Sequence, residues 1–443
     1  MKRRIEPYSF YDHTGIAAHL EDMAARGWML KSVGAFTWNY EKCEPVKAHF
    51  ALTYYPRLSE FDPADNPDLA SFAEFCARTG WKFVCSKAQM QFYVNFEEEP
   101  RPIDTDPALE VANIHASARK SFIFPYALLL ALGLLMGAMW LSTLISDPVS
   151  LLASGSQLWT GFCWLMLGVL CAAELAVYYR WRRRALEAAA RGEFLPTRGT
   201  TGLQRFVIWA VALMLAYWLL NLMFTGNRLM LAAGLSMLAV YAAIALAVNG
   251  AKGLMKRKNA PRGVNRTVSI VLSFVLSFAL IYGVTGGLLK LTRAGAFTGG
   301  GGEGLPLTLE ELLGEEELPG HAARSSRDGS VFISRLSVYQ SPREYVPGGV
   351  NERLDYTLTE VRIPALCGAV EQSLLDEGGP SREYRECAAA PFGADKAYRR
   401  CDTELNSWGN DYLLRYDNRF VELSPSFELE PGQMELVGEA FGK

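Results

Sequence analysis

Glu174 is the only acid inside five long apolar stretches of this chain, so any ion chemistry at membrane depth would have to start there. It lies six residues before Arg180. That spacing predicts snorkelling to a basic interface or pairing with an arginine, with an ion pathway as the competing role. His13, His19 and His49 could gather around a metal. His13 and His19 are not at the i, i+4 spacing of a helical metal pair, however, and the three are expected to be solvated. Trp28 and Trp81 each follow a glycine. They could line an aromatic ligand groove, but without a cationic or polar cluster beside them the expectation is core packing.

Other reactive groups give less. Cys367, Cys387 and Cys401 lie in the last third of the chain. A Cys387 to Cys401 disulfide would close a loop worth about 3 kcal/mol, and three small buried hydrophobes are the alternative. Cys43, Cys76 and Cys85 are expected to be reduced, and no CxxC supports a zinc ribbon or a thioredoxin-type centre. Thr298 to Gly304 is glycine-rich but no Gly-Lys-Ser/Thr follows, so it reads as a tether and not as a phosphate loop. Glu315, Glu316 and Glu317 read as a solvated run before Pro319 and Gly320, and His321 as part of a polar linker. HExxH, GxSxG, kinase and nucleotide-binding signatures are missing. These residues define no catalytic, cofactor-binding or metal-binding set, and the expectation is that the protein is not an enzyme.

The elements that carry these residues are dominated by the apolar stretches: Ser121 to Ile145, Gln157 to Tyr179, Gln204 to Phe224, Leu229 to Asn249 and Thr267 to Leu289. Each can cross a hydrocarbon core of ~30 Å as a helix rising ~1.5 Å per residue. Arg180, Arg182, Arg183, Arg184, Arg191 and Arg198 separate the second and third spans, with Arg205 at the start of the third, and Lys252, Lys256, Arg257, Lys258, Arg262 and Arg266 separate the fourth and fifth. Positive loops stay inside. Ser146 to Ser156 has no basic residue and Thr225 to Arg228 has one, so these loops face out. Arg119 and Lys120 place the amino-terminal domain inside, and five crossings place the carboxy-terminal domain outside; Lys290 and Arg293 argue mildly against this.

Half of the residues are hydrophobic and the formal charge is only -3, which argues against a nucleic-acid ligand. The start MKRRIEPYSF has no apolar run behind its basic residues, so a cleavable signal peptide is not expected. Short loops between spans fit a bacterial plasma membrane.

The first hundred residues contain a repeat. Tyr11 to Arg26 puts Ile16, Leu20 and Met23 on one helical face, with Asp12 as N-cap and Gly27 as stop. Pro67 to Thr79 does the same with Leu69, Phe72, Phe75 and Cys76 inward and Gly80 as stop. Gly27-Trp28 leads to a strand at Phe36 to Glu41, and Gly80-Trp81 to one at Phe92 to Glu97, with a further strand at Ala48 to Tyr55. Two αββ units predict one antiparallel sheet with helices on one face. The helix ending in Gly-Trp, the aromatic strands and the second helix ending Thr79-Gly80-Trp81 resemble the DUF2812 domain, a bacterial family of unknown function. The resemblance implies a membrane-anchored protein and, as partner, a cytoplasmic regulator of the PadR type. The stretch from Asp411 to Gly438 resembles the tails of such proteins as well.

Beyond the tether, Leu307 to Leu312 predicts a short helix, Ser330 to Gln340 and Arg353 to Ile363 strands, and Ala365 to Asp376 a helix. Tyr412 to Tyr416 and Arg419 to Leu423 predict a hairpin across Asp417-Asn418, and Pro431 to Phe441 a last helix. The fold class expected is therefore a multi-domain membrane protein. It comprises a cytoplasmic α+β domain of two αββ units (1–97), a juxtamembrane linker (98–120), a five-helix transmembrane bundle (121–293), a Gly-rich linker (294–304) and an extracytoplasmic α+β domain (305–443). A sensing or regulatory scaffold is the expected function, with a membrane transporter or transporter-associated subunit as the alternative. Gly133 and Gly137 hint at close helix packing on the first span.

Overall fold

The computed structural model describes the 443-residue chain except residues 36, 64–66, 225–227, 295–303, 316–317, 319–320, 343–350, 378–381 and 443. Most of the expected tether, the acidic run at 316–317 with Pro319-Gly320, the turn at 225–227 and Phe36 lie outside the described residues. Contacts divide the chain into two compact units. The first gathers Met1–Gly137, Cys163–Leu213 and Ser236–Val284; the second gathers Ala138–Phe162, Met214–Leu235 and Thr285–Lys443.

In the first unit, β1 (Lys2–Arg4), α1 (His13–Ala25), β2 (Trp28–Val33) and β3 (Trp38–Lys42) are followed by β4 (His49–Tyr54), α2 (Pro67–Ala77), β5 (Lys82–Lys87) and β6 (Met90–Asn95). The strands form two three-stranded sheets, β1-β3-β2 and β4-β6-β5, and not the single sheet expected. The repeat is thus βαββ: in each half the first strand pairs with the last and the last with the middle one. The strand expected at 48–55 opens the second half. Its counterpart β1 is three residues of KRR, a sequence without apolar alternation.

Local chemistry explains the shared punctuation. Gly27 (φ +79°) and Gly80 (φ +82°) end the two helices in left-handed backbone, where a side chain would also meet Cys43 O at 2.9 Å or Glu97 Oε1 at 2.7 Å. Three residues after each of these glycines the middle strand slips in register, between Leu30 and Ser32 and between Phe83 and Cys85. The helices do not share one face, either. Phe50, Leu52, Phe92 and Val94 pack toward α1, whereas Tyr93 on the opposite face of the second sheet packs with Trp81 and Cys76 beside α2. β6 is therefore buried along its whole length, and Phe75, expected inward, is 61% exposed.

Residues 98–120 are not simply a linker. Within them α3 (Pro107–Ala118), capped by Asp106, puts Val111, Ile114 and Ala118 into the same core as α1. A π-helical turn at Arg119–Ile123 carries it directly into α4 (Phe124–Ser146). The short α5 (Pro148–Ala153) precedes α6 (Gly155–Ala189), α7 (Thr201–Phe224), α8 (Arg228–Arg257) and α9 (Arg262–Arg293). Among the described residues five helices, 107–146 counted as one, are long and apolar enough to cross a membrane, and they contain the five expected spans. The lower end of α6 returns to the amino-terminal core, where Tyr178, Trp181 and Ala185 are buried against Tyr11 and Phe122. The core boundary expected at residue 97 therefore falls too early. Gly133 of α4 approaches Gly168 of α6, with an added Cβ 3.5 Å from its Cα, while Gly137 meets nothing within 4 Å.

In the second unit, α10 (Leu309–Leu313) is followed by β7 (His321–Gly329), β8 (Ile333–Pro342), β9 (Leu354–Val361), α11 (Cys367–Asp376), β10 (Arg382–Cys387), β11 (Lys396–Asp402), β12 (Ser407–Tyr416), β13 (Arg419–Pro425) and α12 (Pro431–Phe441). The seven strands make one antiparallel sheet in the order β10-β11-β12-β13-β9-β8-β7. Leu414, Val421, Leu423 and Tyr356 face α10 and α12, while Leu413, Phe420, Ile333 and Val361 face α5 and α11. The expected hairpin is present, with Asp417 in left-handed backbone (φ +52°). His321 belongs to edge strand β7 and not to a linker. Cys401 lies opposite Glu383 and Cys387 opposite Ala397, which separates the pair along β10; Cys367, Cys387 and Cys401 are all free.

Candidate functional site

Glu174 is completely buried, and among the described residues it forms no ion pair with an arginine. Its Oε1 accepts hydrogen bonds from Ser9 Oγ at 2.9 Å, Thr200 Oγ1 and Gln204 Nε2. Ser9 comes from the segment entering α1, Thr200 from the stretch before α7, and Gln204 from the first turn of α7. Ser9 Oγ also accepts from Thr200 N at 3.0 Å and Gln204 Nε2 at 3.2 Å.

The surrounding backbone holds this knot in place. Asp12 is the buried N-cap of α1 and accepts from Gly15 N, while Thr14 and Thr197 exchange hydrogen bonds of 2.8 to 3.1 Å. Gly199 lies so close to Asp12 and Ser9 that a Cβ there would meet Ser9 Oγ at 2.8 Å. Trp181 Nε1 donates to Leu195 O at 3.4 Å and seats the preceding stretch. Desolvating an ion costs several kcal/mol, so concentrating donors on one oxygen is the compensation that makes a buried carboxylate tolerable. Among the described residues Glu174 Oε2 and the buried Tyr11 OH have no hydrogen-bond partner. The site offers two buried acids, Glu174 and Asp12, and a set of hydroxyl and amide donors, a set that can bind a ligand or relay a proton.

The histidines are not gathered, and none is merely solvated. His13 Nε2 lies 3.0 Å from Glu110, His19 Nε2 3.3 Å from Glu6, and His49 Nδ1 3.7 Å from Glu21. Burial pushes His19 below its ordinary value, against the pull of Glu6. The two tryptophans also differ. Trp81 is buried and its Nε1 donates to Arg101 O at 2.7 Å, whereas Trp28 is half-buried with Lys2 Nζ 5.0 Å from its ring centroid. Core packing describes Trp81; at Trp28 a cation does stand on the ring.

A second buried carboxylate, Glu371 on α11, receives Lys396 Nζ at 2.9 Å, Tyr398 OH at 2.8 Å and Arg415 Nη1 at 2.5 Å. Burial alone would raise its pKa, but the hydrogen bonds from Lys396 and Tyr398 and the charge of Arg415 hold it below the usual carboxylate range. It fastens α11 to the sheet. Sequence reasoning missed both acid networks, because their partners are far apart along the chain.

A βαββ repeat whose core continues into long apolar helices is the class of protein that the fold defines. Residues 13–125 match the family model described as "Protein of unknown function (DUF2812)", and the matched segment runs past the expected boundary through α3 and the π turn into α4. No curated protein and no solved structure matches the chain.

Proposed function

We propose that this is a multi-pass protein of a bacterial cell membrane, with the amino-terminal domain cytoplasmic and the carboxy-terminal domain extracytoplasmic, acting as a sensing or regulatory scaffold. The observation that carries the reading is the Glu174 knot. A carboxylate on a span-forming helix is bonded to Ser9 of the βαββ domain and to Gln204 of the next span-forming helix, so any shift between those helices must break or remake bonds to the domain. The basic loops at 180–205 and 252–266 support the orientation. A cytoplasmic regulator of the PadR type is the partner to test first, on the strength of the family resemblance.

Cysteine labelling of intact cells tests the orientation. A cysteine introduced in the exposed β7 should react with an impermeant reagent, and one introduced at Arg183 should not; the reverse pattern would invert the scheme. The knot itself favours one rival: the unpartnered Glu174 Oε2 is where a proton or cation would sit in an ion-coupled transporter. Glu174→Gln separates the two. A regulator keeps its binding partner but loses the coupling that the knot carries, with no ion-dependent flux affected, whereas a coupled transporter loses its ion-dependent uptake or efflux with level and topology unchanged.

A further inference from the structure

Where α3 passes into α4 and α6 leaves its apolar stretch, the first unit has a groove of about 460 Å³ lined by Val111, His115, Arg119, Lys120, Arg182 and Leu186, among others. Three of these side chains are cations and no acid lines the groove. Among the described residues none of Arg119, Lys120 and Arg182 forms an ion pair. Lys120 Nζ reaches Pro56 O at 3.3 Å, and the buried Arg182 Nε has no hydrogen-bond partner. His115 is occupied, its Nδ1 lying 2.8 Å from Tyr178 OH. Three cations that line one groove without a carboxylate among them are an unmet demand for an anion.

Placement narrows which anion. Arg119 and Lys120 stand just before the apolar run of the first span, and Arg182 just after that of the second, so the cations share the level at which two neighbouring helices leave the hydrocarbon. Beside them Val111, Ala112 and Leu186 supply an apolar wall. A phosphate attached to an acyl chain satisfies both halves of this lining, whereas a free anion satisfies only one. We infer that the groove binds the phosphate of an anionic phospholipid from the leaflet facing the amino-terminal domain. The inference rests on the membrane reading above. The π turn at Arg119–Ile123 forms part of the groove rim, so a bound headgroup would brace the junction between the βαββ domain and the first span.

The test uses the full-length protein in detergent, titrated with phosphatidylglycerol or phosphatidylcholine, with retained lipid counted by native mass spectrometry. Phosphatidylglycerol should be retained preferentially. Arg119→Gln and Arg182→Gln should each weaken retention about fivefold, the value of one cation near an anionic headgroup. Arg119→Lys and Arg182→Lys, which keep the charge, should lose less and guard against a simple folding defect. The double variant Arg183→Gln/Arg184→Gln removes two exposed cations outside the groove and should leave retention unchanged. Equal retention of the two lipids, an equal loss in the Arg183/Arg184 variant, or displacement of the lipid by millimolar inorganic phosphate would each overturn the proposal. Recovery of the chain in the soluble fraction of cells would instead remove the membrane reading, a result that fractionation gives independently of lipid preference.

Discussion

Ser9 Oγ donates to Glu174 Oε1 at 2.9 Å across 165 positions of sequence, and through that bond the entry to α1 is tied to the buried acid of α6. Ser9 does not act alone, since Thr200 and Gln204 converge on the same oxygen. Ser9→Ala removes a charge-assisted bond and orphans Thr200 N–H, so it should cost about 1.5 to 3 kcal/mol. Combining it with Glu174→Gln should cost less than the sum, because both changes break one network. Thermal melts of the four proteins in one detergent check this; strict additivity would show that the bond is energetically idle.

Residues 1–97 alone should not give a cooperatively folding domain. Val111, Ile114, Phe122, Tyr178 and Trp181 all pack into the core around α1 and are missing from that fragment. Near-ultraviolet circular dichroism of the fragment should be weak, and its thermal transition broad. A sharp transition would restore the boundary read from the sequence.

Trp81→Ala should destabilise the protein by about 3 to 5 kcal/mol as a large-to-small change in a closed core. Trp28→Ala should cost about 1 to 2 kcal/mol, part of it the contact with Lys2. Parallel melts give the comparison, and equal losses would contradict the unequal burial of the two rings.

Burial, reinforced by Glu110 and opposed by His13, pushes the Asp104 carboxyl up to about 6. The ordinary value is 3.8, so the folded state holds the proton more tightly than the unfolded one. Stability is therefore undiminished below about pH 4 and declines as the pH rises through 6, by an amount on the order of 3 kcal/mol. Asp104→Asn should raise the melting temperature at pH 8 and leave it unchanged at pH 4. An equal shift at both values would show that the charge is not the cause.

Glu371→Gln should cost about 1 to 3 kcal/mol, because it leaves the Lys396 and Arg415 charges facing a neutral group on α11 while both remain partly solvated. The wild-type contribution should fade as acid protonates Glu371. A pH series of melts in which the two proteins converge at low pH would bear this out.

The long apolar helices were legible because length and composition alone decide them, and α1 because Asp12, Ile16, Leu20 and Gly27 carry its start, face and stop in consecutive turns. β1, β7, β10 and β11 were not. KRR, HAARSSRDG, REYREC and KAYRRCD show no regular apolar alternation, and in these strands partners across the sheet supply the order. The split into two sheets was hidden for a related reason, since β1 and β4 belong to the repeat only through their pairing with β3 and β6. Glu174 was legible as an anomaly. Its position in sequence pointed to Arg180, whereas its partners came from residues 9, 200 and 204, and no local pattern records contacts of that range.

The π turn at Arg119–Ile123 sets the rotational phase of α4. One residue more than α-helical geometry requires is absorbed there, between a helix locked into the domain core and a helix of the apolar series. Deleting one residue from this turn would re-form a plain α-helix and turn everything beyond it by about 100° about the helix axis, the angle per residue that 3.6 residues per turn implies. Gly133 would swing away from Gly168, and α4 would present a different stripe to its neighbours. The junction therefore fixes an angular offset between the face that α3 turns to the domain core and the face that α4 turns to α6.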